Sequence, residues 1–177
     1  MLQRKIASVW LVVALMSMAA SASAEPFGHV GHVGLLGGQS SVDSSGYENP
    51  TSYKLFAGVS FSTYGSLDLA YANLGKFKRN GVSDTYLDMD GFELTAMGSY
   101  PLSKRVSLFA RAGYYKWNMD NVLSGTKFGL DGTDFTFGAG MRFGISDDIR
   151  LHLEYQKYND IEGADFDSVY AGFDFGF

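Results

Sequence analysis

The sequence predicts an all-β chain: eight antiparallel strands joined up-and-down into a closed barrel. Three observations carry this. Apolar residues recur at every second position in segment after segment, the spacing that gathers them on one face of a strand. That face is almost free of charge, while the opposite face carries charges separated by glycine and serine. The connections alternate, three tight turns against four longer polar stretches at about 40–51, 76–89, 118–131 and 157–166.

Each element has its own signal. Arg4 and Lys5 precede an apolar run from Ile6 to Ala20, and Ala22-Ser23-Ala24 has the small-residue form of a cleavage site, so residues 1–24 are expected to be a removed signal peptide. The remaining 25–177 form one domain. Its first strand, about 28–39, is blurred by glycines. From Thr51 the alternation is clear: Tyr53, Leu55, Ala57, Val59 and Phe61 share one face, and Lys54, Phe56, Gly58, Ser60 and Ser62 the other. A turn at Thr63-Tyr64-Gly65 leads to Leu67, Leu69 and Tyr71, set against Ser66, Asp68, Ala70 and Ala72. In the next hairpin Phe92, Leu94, Ala96, Gly98 and Tyr100 alternate with Glu93, Thr95, Met97 and Ser99. After Pro101 to Lys104, Val106, Leu108, Ala110, Ala112 and Tyr114 oppose Ser107, Phe109, Arg111, Gly113 and Tyr115. The third hairpin sets Phe135, Phe137, Ala139, Met141 and Phe143 against Asp134, Thr136 and Arg142. It turns at Ser146 to Asp148, then alternates Ile149, Leu151, Leu153 and Tyr155 with Arg150, His152, Glu154 and Gln156. Val169, Ala171, Phe173, Phe175 and Phe177 complete the eighth strand, with Asp174 on its other face.

Composition narrows the function classes. Without residues 1–24 the chain has 12 basic and 19 acidic residues, a net charge of −7, which argues against a nucleic-acid partner. It has no cysteine, so neither a disulfide nor a thiol site is available. After residue 24 no run reaches the roughly 18 apolar residues of a membrane-spanning helix. A strand of about 10 residues, rising about 3.3 Å each and tilted about 40°, does cross the apolar band of an outer membrane, about 25 Å tall. The polarity of the faces decides the environment. An eight-strand barrel has an interior just wide enough for side chains, so the bulky apolar face belongs outside, against lipid, and the small, charged face inside. A lipocalin-like barrel would reverse this. The lumen is therefore expected to carry Lys54, Asp68, Glu93, Arg111, Arg142, Arg150, His152, Glu154 and Asp174. Outward Tyr53, Tyr71, Tyr100, Tyr114 and Tyr155, near strand ends, suit the lipid headgroup boundary.

Phe92 to Ala96 with Tyr100-Pro101-Leu102, Phe137 to Phe143, and Leu153-Glu154-Tyr155-Gln156 resemble the transmembrane domain of the OmpA-like outer membrane barrel family. The resemblance covers essentially all of 25–177. It implies the outer membrane of a Gram-negative bacterium. Larger members append a peptidoglycan-binding domain; the sequence departs from them there, and a small barrel without that domain is expected. The resemblance also implies that Glu93, Arg111, Arg142, His152 and Glu154 converge in the lumen as ion pairs, and that Val169, Ala171, Phe173, Phe175 and Phe177 form the signal read by the outer-membrane assembly machinery. The expected role is structural or surface-interacting (adhesion-type), through four extracellular loops. A narrow pore for small polar solutes is the alternative, and a lipid-modifying enzyme a third reading. His152 and Glu154 stand two apart on one strand face, but the His-x-Ser-Asn sequence of deacylases is absent. His29 and His32, three apart, point to opposite faces and cannot easily share a metal ion. Lys76, Lys78 and Arg79 suit lipopolysaccharide phosphates by charge. No cofactor or metal is expected. The expected partners are outer-membrane lipid, lipopolysaccharide, the assembly machinery and a surface ligand, with the chain a monomer.

Overall fold

Period-two segments become strands wherever both neighbours offer a ladder, and here every strand has two. The computed structural model describes residues 29–44, 46–81, 85–123 and 126–177; the expected signal peptide and Gly28 lie outside them. The strands are β1 Gly31–Val42, β2 Thr51–Ser62, β3 Gly65–Lys78, β4 Tyr86–Pro101, β5 Val106–Leu123, β6 Thr126–Gly144, β7 Ile149–Ile161 and β8 Ala164–Gly176. They pair in chain order, all antiparallel, and β8 returns to β1 from His32↔Gly176 to Val42↔Phe166, closing the barrel. Closure leaves the apolar band without a free strand edge, the condition for crossing hydrocarbon.

The outward face is apolar as expected: Leu35, Leu67, Leu94, Phe137, Val169, Phe173 and Phe175 are all exposed to the surroundings. Outward aromatic rings form a belt across β2 to β6. Tyr53 packs on Tyr71 (6.2 Å between centroids), Tyr71 on Phe92 (5.4 Å) and Tyr114 on Phe135 (6.0 Å). The Tyr71 hydroxyl donates to Asp90 at 2.8 Å and the Tyr155 hydroxyl to Asp167 at 2.5 Å, both just beyond the belt. This is the amphipathic arrangement of a membrane boundary.

Two expectations need correction. Of the five outward tyrosines, Tyr53 and Tyr100 lie near strand ends, Tyr100 at the tight-turn end, whereas Tyr71, Tyr114 and Tyr155 lie well inside their strands. Beyond them the strands continue, β5 for nine residues past Tyr114. Of the four polar stretches, 118–131 and 157–166 are mostly strand, while 40–51 and 76–89 are strand only at their ends. Val42 and Thr51 bracket the longest gap, β3 and β4 stop at Lys78 and Tyr86, β5 and β6 meet at Leu123↔Thr126, and β7 and β8 at Ile161↔Ala164. Strand β1 likewise begins later and runs further than expected. The last turn is two residues, Glu162 and Gly163, both with positive φ (51° and 79°), and so is the left-handed geometry of a tight hairpin.

Gly113 faces the lumen where a Cβ would strike Leu94 O and approach Thr95 Cα to 2.7 Å. Gly113→Val is expected to lower stability by about 1–3 kcal/mol through overpacking. Gly37→Ala, with nothing within 4 Å of the added atom, should stay within about 0.5 kcal/mol. Urea unfolding of both variants in lipid vesicles checks the contrast.

Candidate functional site

Alternation sends one residue in two into the lumen, and these side chains stack in layers along the axis. The nine charged residues expected inside all point there. Lys54, Asp68, Glu93, Arg111, Arg142, His152, Glu154 and Asp174 are buried, and Arg150 is half-buried. Four basic side chains meet four carboxylates, a balance that matters because each unpaired ion inside would cost several kcal/mol.

The middle layer is built on two cations. Lys54 Nζ lies 2.8 Å from Glu154 and 3.3 Å from Glu93, and also donates to Gln156. Arg111 Nη2 lies 3.2 Å from Glu154 and 3.4 Å from Asp68. Strands β2, β3, β4, β5 and β7 each supply one charged member, so the network ties distant parts of the wall across the lumen. Asp68 accepts from Ser66 Oγ and from His32 Nε2, both at 3.0 Å. Gln156 Nε2 donates to Glu93 at 3.1 Å and to Thr136 at 2.7 Å.

Below it, toward the tight turns, His152 bridges Glu154 (2.8 Å) and Asp174 (3.3 Å). Asp174 is shared by Arg142 at 3.2 Å and by Arg150. Phe56 and Phe109 are inserted among these groups. The Arg111 guanidinium sits 5.7 and 5.5 Å from their ring centroids, and that of Arg142 5.2 Å from Phe109. Cation–π attraction offsets part of the desolvation of guanidinium faces that lack other partners.

Above the network the lumen turns apolar. Leu74, Phe77, Met89, Tyr115, Trp117, Met119, Tyr158, Ile161 and Phe166 form one buried cluster. Tyr158 joins the layers: its hydroxyl donates to Glu93 at 2.6 Å, while its ring packs on Tyr115 at 4.8 Å. Trp117 Nε1 donates to Asp134 at 2.7 Å. Sequence reasoning missed this cap because Phe77, Met89 and Met119 fall inside stretches read as polar loops. The signal was present: Tyr115, Trp117 and Met119 keep the inward phase of Arg111. Beyond the belt the outward face meets water instead of lipid, so the polarity reverses to apolar-in and polar-out.

The remaining candidates are placed apart. Lys76 and Lys78 stand on the exposed end of β3, not in a loop; Lys76 is 3.7 Å from Asp88 and 4.9 Å from the Tyr86 ring. Arg79 forms a single bridge with Tyr47. Val169, Ala171, Phe173, Phe175 and Phe177 line the outer face of β8 and the chain end. His29 lies at the tight-turn end, 3.3 Å from Asp148, and His32 in the lumen. Among the described residues no group of three or more His, Asp and Glu is placed to hold a metal ion.

A family model for the outer membrane protein beta-barrel domain matches residues 8–177. The chain belongs to this family. It is an OmpA-like small barrel of the Gram-negative outer membrane. Outer membrane protein A of Shigella flexneri is 27% identical over 175 residues, covering 90% of this chain and 50% of that protein. The chain thus spans about half the length of the curated relatives it matches. Among solved structures, Neisserial surface protein A superposes with a TM-score of 0.69 at 14% identity, covering 83% of this chain and 97% of that one. Ail, the attachment invasion locus protein of Yersinia pestis, in complex with the heparin analogue sucrose octasulfate, gives 0.60 at 18%, covering 83% and 99%. At these identities both show the same fold.

Two substitutions test the layers. Lys54→Met leaves Glu93 and Glu154 without their shared cation and is expected to cost about 3–5 kcal/mol, read as a lower urea midpoint in vesicles. Adding Glu154→Gln should recover part of that loss, a coupling that independent sites would lack. Trp117→Ala opens a cavity in the cap and is expected to cost about 3–5 kcal/mol by the same measurement.

Proposed function

We propose that this outer-membrane barrel is a non-enzymatic surface protein, a structural element of the membrane that engages neighbouring surfaces through its extended end. That end would face outward and the tight turns the periplasm, the usual sense of such barrels. The observation that carries the reading is the β5–β6 hairpin. Strand β6 pairs with β7 only from Thr136↔Tyr158 onward, yet pairs with β5 up to Thr126. Residues 126–135 therefore stand above the barrel with one edge unpaired, and Phe128 and Leu130 are exposed beside it. Unpaired strand edges and exposed apolar side chains are the two features by which extended surfaces recruit partners. The structural similarity to an attachment protein is in keeping with this role. Lys76 and Lys78, exposed beyond the aromatic belt, and Arg79 after them are assigned to contact with lipopolysaccharide phosphates, which their charge suits. The outward aromatics of β8 serve assembly into the membrane, and the barrel acts as a monomer.

The layered lumen argues against conduction, since ion pairs and an apolar cap occupy it in succession. Planar-bilayer recording is expected to show no reproducible unit conductance; a stable unit current would replace the surface reading with that of a narrow pore. Cells displaying the chain are expected to attach to an epithelial monolayer. The double variant Phe128→Ser/Leu130→Ser should bring attachment down to that of cells lacking the protein, with heat-modifiable gel migration showing an intact barrel. Undiminished attachment by the double variant would overturn the assignment to this hairpin.

A further inference from the structure

At the opposite end of the barrel the lumen opens into a vestibule of about 860 Å³ among the three tight turns, lined by residues of all three. Its size is that of a small-molecule site. Its wall mixes short hydroxyl side chains, among them Ser66 and Ser107, with apolar Val30, Phe61, Met97 and Val106. Its charge is one-sided: Lys104, Arg105, Arg142 and Arg150 line it against the single carboxylate of Asp147. The acids nearby do not correct this. Asp148 is engaged by His29 at 3.3 Å, and Asp174, behind the wall, is one carboxylate serving two guanidinium groups.

The donors at the floor are incompletely used. Arg142 is 5% exposed, and its Nη2, like that of Arg150, is buried without a hydrogen-bond partner. A buried charged donor left unpaired costs more than an ordinary hydrogen bond contributes, so its persistence beside a cavity of matching charge calls for an acceptor. Guanidinium groups present their N–H bonds in a planar fork that fits the oxygens of phosphate and carboxylate. Phe109 stands under Arg142 and His152 behind it, with ring centroids 4.7 Å apart, closing the vestibule toward the charged network.

We propose that the vestibule is a binding site for a small soluble phosphate- or carboxylate-bearing solute of the periplasm, held by Arg142 and Arg150 at the floor with Lys104 and Arg105 at the mouth. This is separate from the surface role, since it uses the other end of the barrel. The orientation is the only element shared with that reading.

Inorganic phosphate is the probe, titrated calorimetrically into the refolded chain in octyl glucoside, a detergent without phosphate. Saturable binding is expected. It should weaken at least tenfold in Arg150→Gln and severalfold in Lys104→Gln/Arg105→Gln, and be lost in Ser107→Asp, which sets a carboxylate on the wall without removing any cation. Heat-modifiable migration identifies which variants hold a barrel, and the exposed turn pair Lys104 and Arg105 keeps the test readable should a lumen variant fail to fold. Absence of saturable binding by the folded parent chain, or equal affinity in the turn variant and in Arg150→Gln, would overturn the site. Repeating the titration in nanodiscs distinguishes the source of the anion. Affinity unchanged by phosphatidylglycerol supports a soluble ligand, whereas competition by that lipid would overturn it in favour of a headgroup.

Discussion

Closure of the sheet, β1 on β8, is the constraint on which everything else in this molecule depends. In hydrocarbon each backbone N–H and C=O must find its partner within the protein, and only a closed ladder leaves none over. Eight strands close on a narrow interior. The bulky side chains must then face lipid, and the interior must be filled by residues that are small or that satisfy one another. The charged network is the second of these solutions: Lys54, Arg111, Arg142 and Arg150 are tolerable inside only because Asp68, Glu93, Glu154 and Asp174 reach them from other strands.

The same wall changes character along its length because its surroundings change. Inside the membrane it is apolar outward and charged inward. Past the belt of Tyr53, Tyr71, Phe92 and Tyr114 water replaces lipid outside, and the inward positions become Leu74, Phe77, Met89, Trp117 and Met119. Tyr158, with its hydroxyl on Glu93 and its ring in the apolar cluster, sits at the junction. The barrel is thus a membrane protein over one part of its length and an ordinary β-sheet with an apolar core over the rest. Its two ends differ accordingly: a closed, apolar cap crowned by a free strand edge, and an open vestibule rich in unspent positive charge.

Much of this was legible in the residues, and the illegible part has a common cause. Alternation in β2, β4 and the lower parts of β5 and β6 is strong because lipid demands an unbroken apolar face. It weakens to the eye at 76–89 and 118–131, where Lys76, Asp88, Asn118 and Asp120 face water and read as loop. The inward phase in fact runs on unbroken from Arg111 to Met119. The lumen residues could be named because a charge on an otherwise small, glycine-rich face has nowhere else to go. Which carboxylate each cation meets was not legible. Lys54 and Glu154 are 100 positions apart and meet only because barrel closure brings β2 and β7 across the lumen from one another.

By itself, the sequence determined the number of strands, their order, the face each turns to lipid and the identity of the charges inside, since all of these follow from local period and from the chemistry of two opposed surfaces. Tertiary structure alone decided the length of the strands beyond the membrane, the apolar cap, the unpaired edge of β6 and the vestibule with its surplus of guanidinium donors. Each of these depends on which strand stops before its neighbour and on which side chains converge across the axis, and such distances are set by closure of the whole barrel.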